Sequence, residues 1–159
     1  MSHLPVPKEI RDLLTDLLDR EVTLSPSAPL APTPKNPCTV GVYVDDRLQV
    51  TAIVAFDLPL SARAGAAIGL VPAAGADAAI EEGVLNDTLR ENVYEVLNIA
   101  ASLFNVEGAD HLRLYDAHHI GVPLPPDVLA KALTLGRRED LAVEVGGYGP
   151  GRLSVVLVR

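Results

Sequence analysis

Glu95 and Asn98 stand three residues apart within ENVYEVLNIAAS (91–102), a carboxylate and a carboxamide at helical spacing. On an α-helix such a pair is stacked, with Cβ atoms about 5–6 Å apart. The carboxamide accepts and donates hydrogen bonds without ionising, so it can hold a water molecule in one orientation. The carboxylate can make a charge-assisted contact with a partner's cation. Exposed helix faces usually carry lysine, arginine and glutamate, whereas asparagine favours caps and turns. An asparagine in mid-helix beside a carboxylate therefore points to a task other than helix formation.

The surrounding residues say how the pair is presented. At about 100° per residue, Leu89, Val93, Val96, Leu97, Ala100 and Phe104 share one apolar arc. Glu91, Glu95, Asn98 and Ser102 form a stripe on the other side. The pattern predicts a helix from about Asn86 to Phe104, apolar side against a sheet and polar stripe toward solvent. An earlier helix is announced by Pro5 and Pro7, with Ile10, Leu13, Leu14, Leu17 and Leu18 on one side and Glu9, Asp12, Asp16 and Asp19 on the other. SPSAPLAPTPKNP (25–37) then reads as a stiff connector without regular structure, crossing one end of a sheet.

CTVGVYV (38–44) and LQVTAIVAF (48–56), joined by Asp45-Asp46-Arg47, read as a β-hairpin. A short small-residue helix is expected over 57–70, followed by an alanine- and glycine-rich link, flexible or loosely helical at the surface. After the central helix come a strand, HLRLYD (111–116), a proline-punctuated loop (117–126), a short helix or irregular crossing (127–133) and a second hairpin. That hairpin joins LAVEVGG (141–147) to RLSVVLV (152–158) around Tyr148-Gly149-Pro150-Gly151. The two halves share a plan, helix then proline-bearing connection then hairpin, which suggests a duplicated α-β-β unit. The expected fold is α+β, a largely antiparallel sheet packed against two long helices, with residues 1–159 as a single domain.

Composition narrows the function. The chain of 159 residues has 48% hydrophobic but only 4% aromatic residues and no Trp, which requires an aliphatic core. A net charge of −8 with scattered basic residues argues against nucleic acid or an anionic membrane as partner. No apolar run reaches the ~18 residues of a membrane span, and MSHLPVPKEI has no signal-peptide pattern. The lone Cys38, a small apolar residue opening a strand, suits a reducing cytoplasm.

The order of elements and the motif together resemble the CheC/CheX/FliY family of chemotaxis phosphatases, CheX most closely. Members of that family carry (Ser/Asp)-x-x-x-Glu-x-x-Asn on a helix, and Glu91-x-x-x-Glu95-x-x-Asn98 lies over this pattern. The resemblance implies a sheet of six or so strands backed by two long helices. It implies hydrolysis of the phosphoryl-aspartate on a CheY-like receiver domain, with Asn98 orienting the attacking water and Glu95 docking onto the receiver's lysine. Glu91 and Ser102 would contact the same partner. The chain would need no cofactor of its own, the Mg²⁺ being carried by the receiver, and a homodimer is implied as in CheX. Glu91 stands where the family has Ser or Asp, Leu97 where it often has Gly, and Ser102 near another position where Gly is common. These departures support an alternative, a binding or dimerisation module of the same fold without turnover.

Other residues carry weaker signals. His118-His119, with Asp116 and His111 nearby, reads as an exposed polar loop more readily than as a metal site. His3 is expected in a mobile tail. GGYGPG (146–151) lacks the Gly-Lys-Ser/Thr ending of a phosphate loop and reads as a hairpin turn. The first helix has no asparagine, so one site per chain is expected.

Overall fold

Alternation within the strands gives the sheet two apolar faces, and a different part of the chain covers each. The computed structural model describes residues 1–158. Its helices are α1 (Pro7–Leu18), α2 (Leu58–Ile68), α3 (Ala73–Glu82), α4 (Asp87–Ala100) and α5 (Pro126–Ala132). Its strands are β1 (Val22–Pro26), β2 (Cys38–Val44), β3 (Val50–Asp57), β4 (Arg113–His118), β5 (Arg138–Val145) and β6 (Gly149–Leu157). The six strands form one sheet in the order β1-β5-β6-β3-β2-β4, with every pairing antiparallel. None of the helices among the described residues is long and apolar enough to cross a membrane.

The duplicated plan holds, with a third strand added to each half. Exchanging β1 with β4, β2 with β5 and β3 with β6 reverses the strand order and so restores the same sheet. α1 leads into β1 as α4 leads into β4. The sequence reading missed β1, because its last residues belong to the proline-rich stretch. Ser25 and Pro26 nonetheless pair with Ala142 and Leu141. Proline is tolerated there because β1 is an edge strand, where a missing N–H can face solvent.

On the first face, Tyr43, Val54, Phe56, Leu153 and Val155 meet Ile10, Leu14 and Leu18 of α1 and Leu89, Val93, Val96 and Leu97 of α4. α2 packs on the same face. Its Ala62, Ala64, Gly65, Ala66 and Ala67 are all buried, so its small side chains admit neighbours from several sides. A Cβ on Gly65 would lie 3.1 Å from the Leu89 carbonyl oxygen, which fixes how closely α2 and α4 approach. Asp57 caps α2, its carboxylate accepting from Leu60 N at 2.9 Å and from Arg152 N of β6 at 3.1 Å. The alanine-rich link is an ordered helix, α3, since burial of Ala76 and Ala79 gives it an inner side. Gly83, at φ 78°, ends it by returning its N–H to the Ala79 and Ile80 carbonyls.

The second face, made by Cys38, Val40, Val42, Ile53, Ala55 and Val156, is covered by Val128 and Ala132 of α5 and by Leu30. The proline-rich stretch is thus a strap across the sheet. Polar groups fasten it: Asp140 accepts from Leu30 N at 2.9 Å, and Arg152 donates to Ser27 Oγ and the Ala28 carbonyl. Arg138 pairs with Asp140 at 2.7 Å, donates to the Leu30 carbonyl, and also binds the Ala132 and Thr134 carbonyls at the end of α5. Under this cover the Cys38 thiol is pushed up to about 12, by burial first and then by the Asp57 carboxylate. It is a packing residue and not a nucleophile.

Smaller corrections follow from local hydrogen bonding. The second hairpin turns at 146–148, and Gly149, Pro150 and Gly151 already pair with Val145, Glu144 and Val143. β4 starts at Arg113 rather than His111 and takes in His118. His3 is not in a loose tail, because its ring nitrogen lies 2.9 Å from the Glu9 carboxylate. That carboxylate also accepts from Val6 N at the start of α1. Burial acts against the ionised Glu9, but Val6 N–H and His3 together hold its carboxyl below the usual range.

The side chains of Arg138 and Asp140 are 7% and 8% exposed, so removing one partner strands a charge. Asp140→Ala is expected to lower the unfolding free energy by about 3–5 kcal/mol, read by urea denaturation. A loss under about 1 kcal/mol would mean that Leu30 packing alone holds the strap.

Candidate functional site

α4 is fixed at both ends before any chemistry is considered. At its start the Asn86 side chain accepts from Leu89 N at 2.9 Å, and Asp87 in the first turn complements the helix dipole. At its end the hydrogen bonding tightens: Ala101 N–H turns to the carbonyls of Asn98 and Ile99, and a 3₁₀ turn, Ala101–Leu103, follows. This tightening leaves the Leu97 carbonyl without a partner further along the helix. The Tyr43 hydroxyl, rising from β2, donates to it. Tyr43 is wholly buried, and its ring packs on Phe104 at 5.2 Å between centroids. Burial, then the nearby Tyr94 hydroxyl, push the Tyr43 hydroxyl well above the usual phenol range, so it remains a donor.

The apolar arc expected from the sequence is buried in full: Leu89, Val93, Val96, Leu97, Ala100 and Phe104. Glu91, Glu95 and Asn98 are exposed along the outer side of α4, and Ser102 continues the stripe in the 3₁₀ turn. Among the described residues, none of these four side chains hydrogen-bonds or ion-pairs within the protein.

A second asparagine in the same helix supplies the contrast. Asn92 donates through Nδ2 to the Gly65 carbonyl at 2.9 Å, tying α4 to α2. Its amide is accounted for by the fold. The Asn98 amide is not, and it sits where the helix changes from α to 3₁₀ geometry.

The sequence reading passed over two neighbours of the stripe. Tyr94, one turn before Asn98, is 40% exposed. Arg90, one turn before Tyr94, donates to the Ile120 carbonyl and ties the 119–125 segment to α4, while its Nε is buried without a partner. Their mutual spacing of four residues was the available signal. His118 and His119, expected in an exposed loop, are half-buried. His118 Nε2 lies 3.8 Å from the Asp116 carboxylate. Burial first, and then the Arg90 guanidinium, hold the His119 ring below the usual histidine range.

The stripe is a convex ridge, suited to a macromolecular surface rather than to an enclosed small molecule. An apolar cavity of about 500 Å³ lies between Pro32, Pro34 and Pro37 of the strap and Ile120, Val122 and Leu124, and no stripe residue lines it. α1 offers no second copy of the arrangement. Its exposed side carries Asp12, Asp16 and Asp19, and Glu9 is engaged with His3 and Val6.

No family model matches the chain, and no curated protein matches it in sequence. Solved structures do. CheX in the CheX-CheY-BeF3-Mg²⁺ complex from Borrelia burgdorferi is similar at 12% identity and TM-score 0.57, over 96% of this chain and 94% of that one. FliM in the FliG-FliM complex from H. pylori gives 8% identity and TM-score 0.59, over 98% and 87%. Thermotoga maritima FliY gives 11% identity and TM-score 0.50, over 98% and 93%. At these identities the likeness is one of fold. The chain has the α+β fold of CheX, FliY and FliM domains, as expected from the order of its elements.

The two asparagines should behave differently when truncated. Asn92→Ala should cost about 1 kcal/mol of stability, whereas Asn98→Ala should stay within about 0.5 kcal/mol of wild type. Equal losses in thermal or urea unfolding would contradict the contrast. Tyr43→Phe should cost about 1–3 kcal/mol, because the buried Leu97 carbonyl loses its donor.

Proposed function

We propose that this protein docks the outer side of α4 onto a phosphorylated CheY-like receiver domain and hydrolyses its aspartyl phosphate. The observation that carries the reading is the Glu95–Asn98 pair, exposed on a helix fixed at both ends and free of internal hydrogen bonds. The CheX of matching fold, captured with CheY, BeF3 and Mg²⁺, supports the choice of partner.

The chemistry asks little of the protein. An acyl phosphate is already reactive, and catalysis consists chiefly of placing the attacking water in line and stabilising charge. Asn98 holds the water: its Oδ1 accepts a hydrogen bond from the water and its Nδ2 can donate one to a phosphoryl oxygen. Glu95, one turn earlier, pairs with a receiver lysine and sets the register of docking. Mg²⁺ is contributed by the receiver. Glu91 and Ser102 extend the contact along the ridge, and the reading includes the homodimer and cytoplasmic setting implied by the resemblance.

The test is the decay of a phosphorylated receiver, with Mg²⁺, in the presence of wild type or Asn98→Ala. Wild type should accelerate the decay and Asn98→Ala should lose at least about 100-fold of that acceleration. An active wild type whose rate survives Asn98→Ala would remove the proposed role.

One observation favours a second reading. The same fold occurs in FliM bound to FliG, at TM-score 0.59, so the fold also serves an assembly. A module of that kind would bind a protein partner through α4 and leave the phosphoryl group's lifetime unchanged.

A further inference from the structure

We infer that Tyr94 is a specificity-determining residue of the docking surface, an aromatic anchor beside the Glu95–Asn98 pair that sets affinity for the receiver rather than the rate of hydrolysis. This rests on the reading of the α4 ridge as the receiver-docking surface.

Position is the first argument. Tyr94 follows Glu91 by three residues and precedes Asn98 by four, so its ring borders the stripe along its length. Among the described residues it is the one large apolar side chain exposed in a helix interior. Of the others, Tyr115 lies in strand β4, and Leu48, Leu70, Val122 and Leu135 lie in turns, at helix ends or in loops.

Partial burial is the second. The opposite side of α4, through Val93, Val96 and Leu97, is packed into the core. Tyr94 is 40% exposed, so part of the residue is covered by the fold and part faces solvent. Arg90, one turn back, is engaged with the Ile120 carbonyl. A partly covered tyrosine with two rotatable bonds presents a large contact area at little entropic cost. Such residues dominate binding energy when they sit near the middle of a contact.

Chemistry is the third. Glu91, Glu95 and Asp87 make the ridge acidic, and charge alone would bind loosely and fade with salt. An apolar ring beside Asn98 excludes bulk water from the rim of the phosphoryl site, which strengthens the polar contacts it encloses.

The experiment uses the full chain and a receiver carrying BeF3 and Mg²⁺ as a stable stand-in for the phosphorylated form, together with dephosphorylation kinetics. Four proteins are compared: wild type, Tyr94→Ala, Tyr94→Phe and Leu135→Ala, the last an exposed apolar residue beyond α5 on the other side of the sheet. Tyr94→Ala should weaken binding at least tenfold and raise KM to match, with kcat within about twofold of wild type. Tyr94→Phe should restore both, and Leu135→Ala should leave both unchanged. Unaltered binding in Tyr94→Ala overturns the inference, and so does a fall in kcat at constant KM. A melting temperature lowered in step with affinity, without rescue by Phe, would reduce Tyr94 to a packing residue. Where wild type binds without hydrolysing, the proposed turnover fails while the Tyr94 inference stands on its binding result. Where wild type binds no receiver, both fail.

Discussion

A hydrogen bond between residues 54 positions apart, from the Tyr43 hydroxyl to the Leu97 carbonyl, holds the ridge in place. It does two things at once. It satisfies a carbonyl that the tightening of α4 leaves over, and it ties the helix end to β2, a strand paired on both sides. The bond is sealed by complete burial of Tyr43 and by the Phe104 ring, so water does not compete for it. Asn98 is the next residue after the anchored carbonyl. A side chain that must hold one water in one orientation gains from a backbone that cannot rotate beneath it.

The two faces of the sheet solve burial by different means. The helical face uses small residues, alanines and Gly65 in α2, to let α2 and α4 approach closely. The other face has one short helix and completes its cover with a proline-rich strap. A strap without regular structure leaves backbone groups unpaired, and Arg138, Asp140 and Arg152 supply the missing partners at Ala28 and Leu30. Arginine suits this work because its planar group reaches several carbonyls at once. Chain stiffness from proline and fixed side-chain donors together make an ordered layer from a segment of low structural propensity.

Much of this was legible in the sequence where periodicity was strong. The arc from Leu89 to Phe104 declared both an element and its buried side, and the stripe of Glu91, Glu95, Asn98 and Ser102 followed as the remainder. The β-branched and aromatic content of CTVGVYV declared a strand but not that all seven of its residues are buried. β1 was not legible, because five residues with one buried valine and a terminal proline carry too little pattern, and their pairing with β5 is set by a contact over 100 residues distant. α3 was obscured by its own composition, since alanine and glycine carry little amphipathic contrast. The half-burial of His119 and the bond from Arg90 to the Ile120 carbonyl depend on contacts between elements, which local sequence does not bring together.

The outer strands have a consequence for how the molecule comes into being. β1 belongs to the first half of the chain but pairs with β5 of the second, and β4 of the second half pairs with β2 of the first. Each half thus lends a strand to the other, and neither can close its own sheet. Contacts of such long sequence separation form late and together. α4 rests on β2 through Tyr43 and runs on toward β4, so its outer side becomes rigid only after the halves have interlaced. A nascent or nicked chain would carry the same glutamate and asparagine without holding them in register, which makes display of the ridge a certificate of finished assembly.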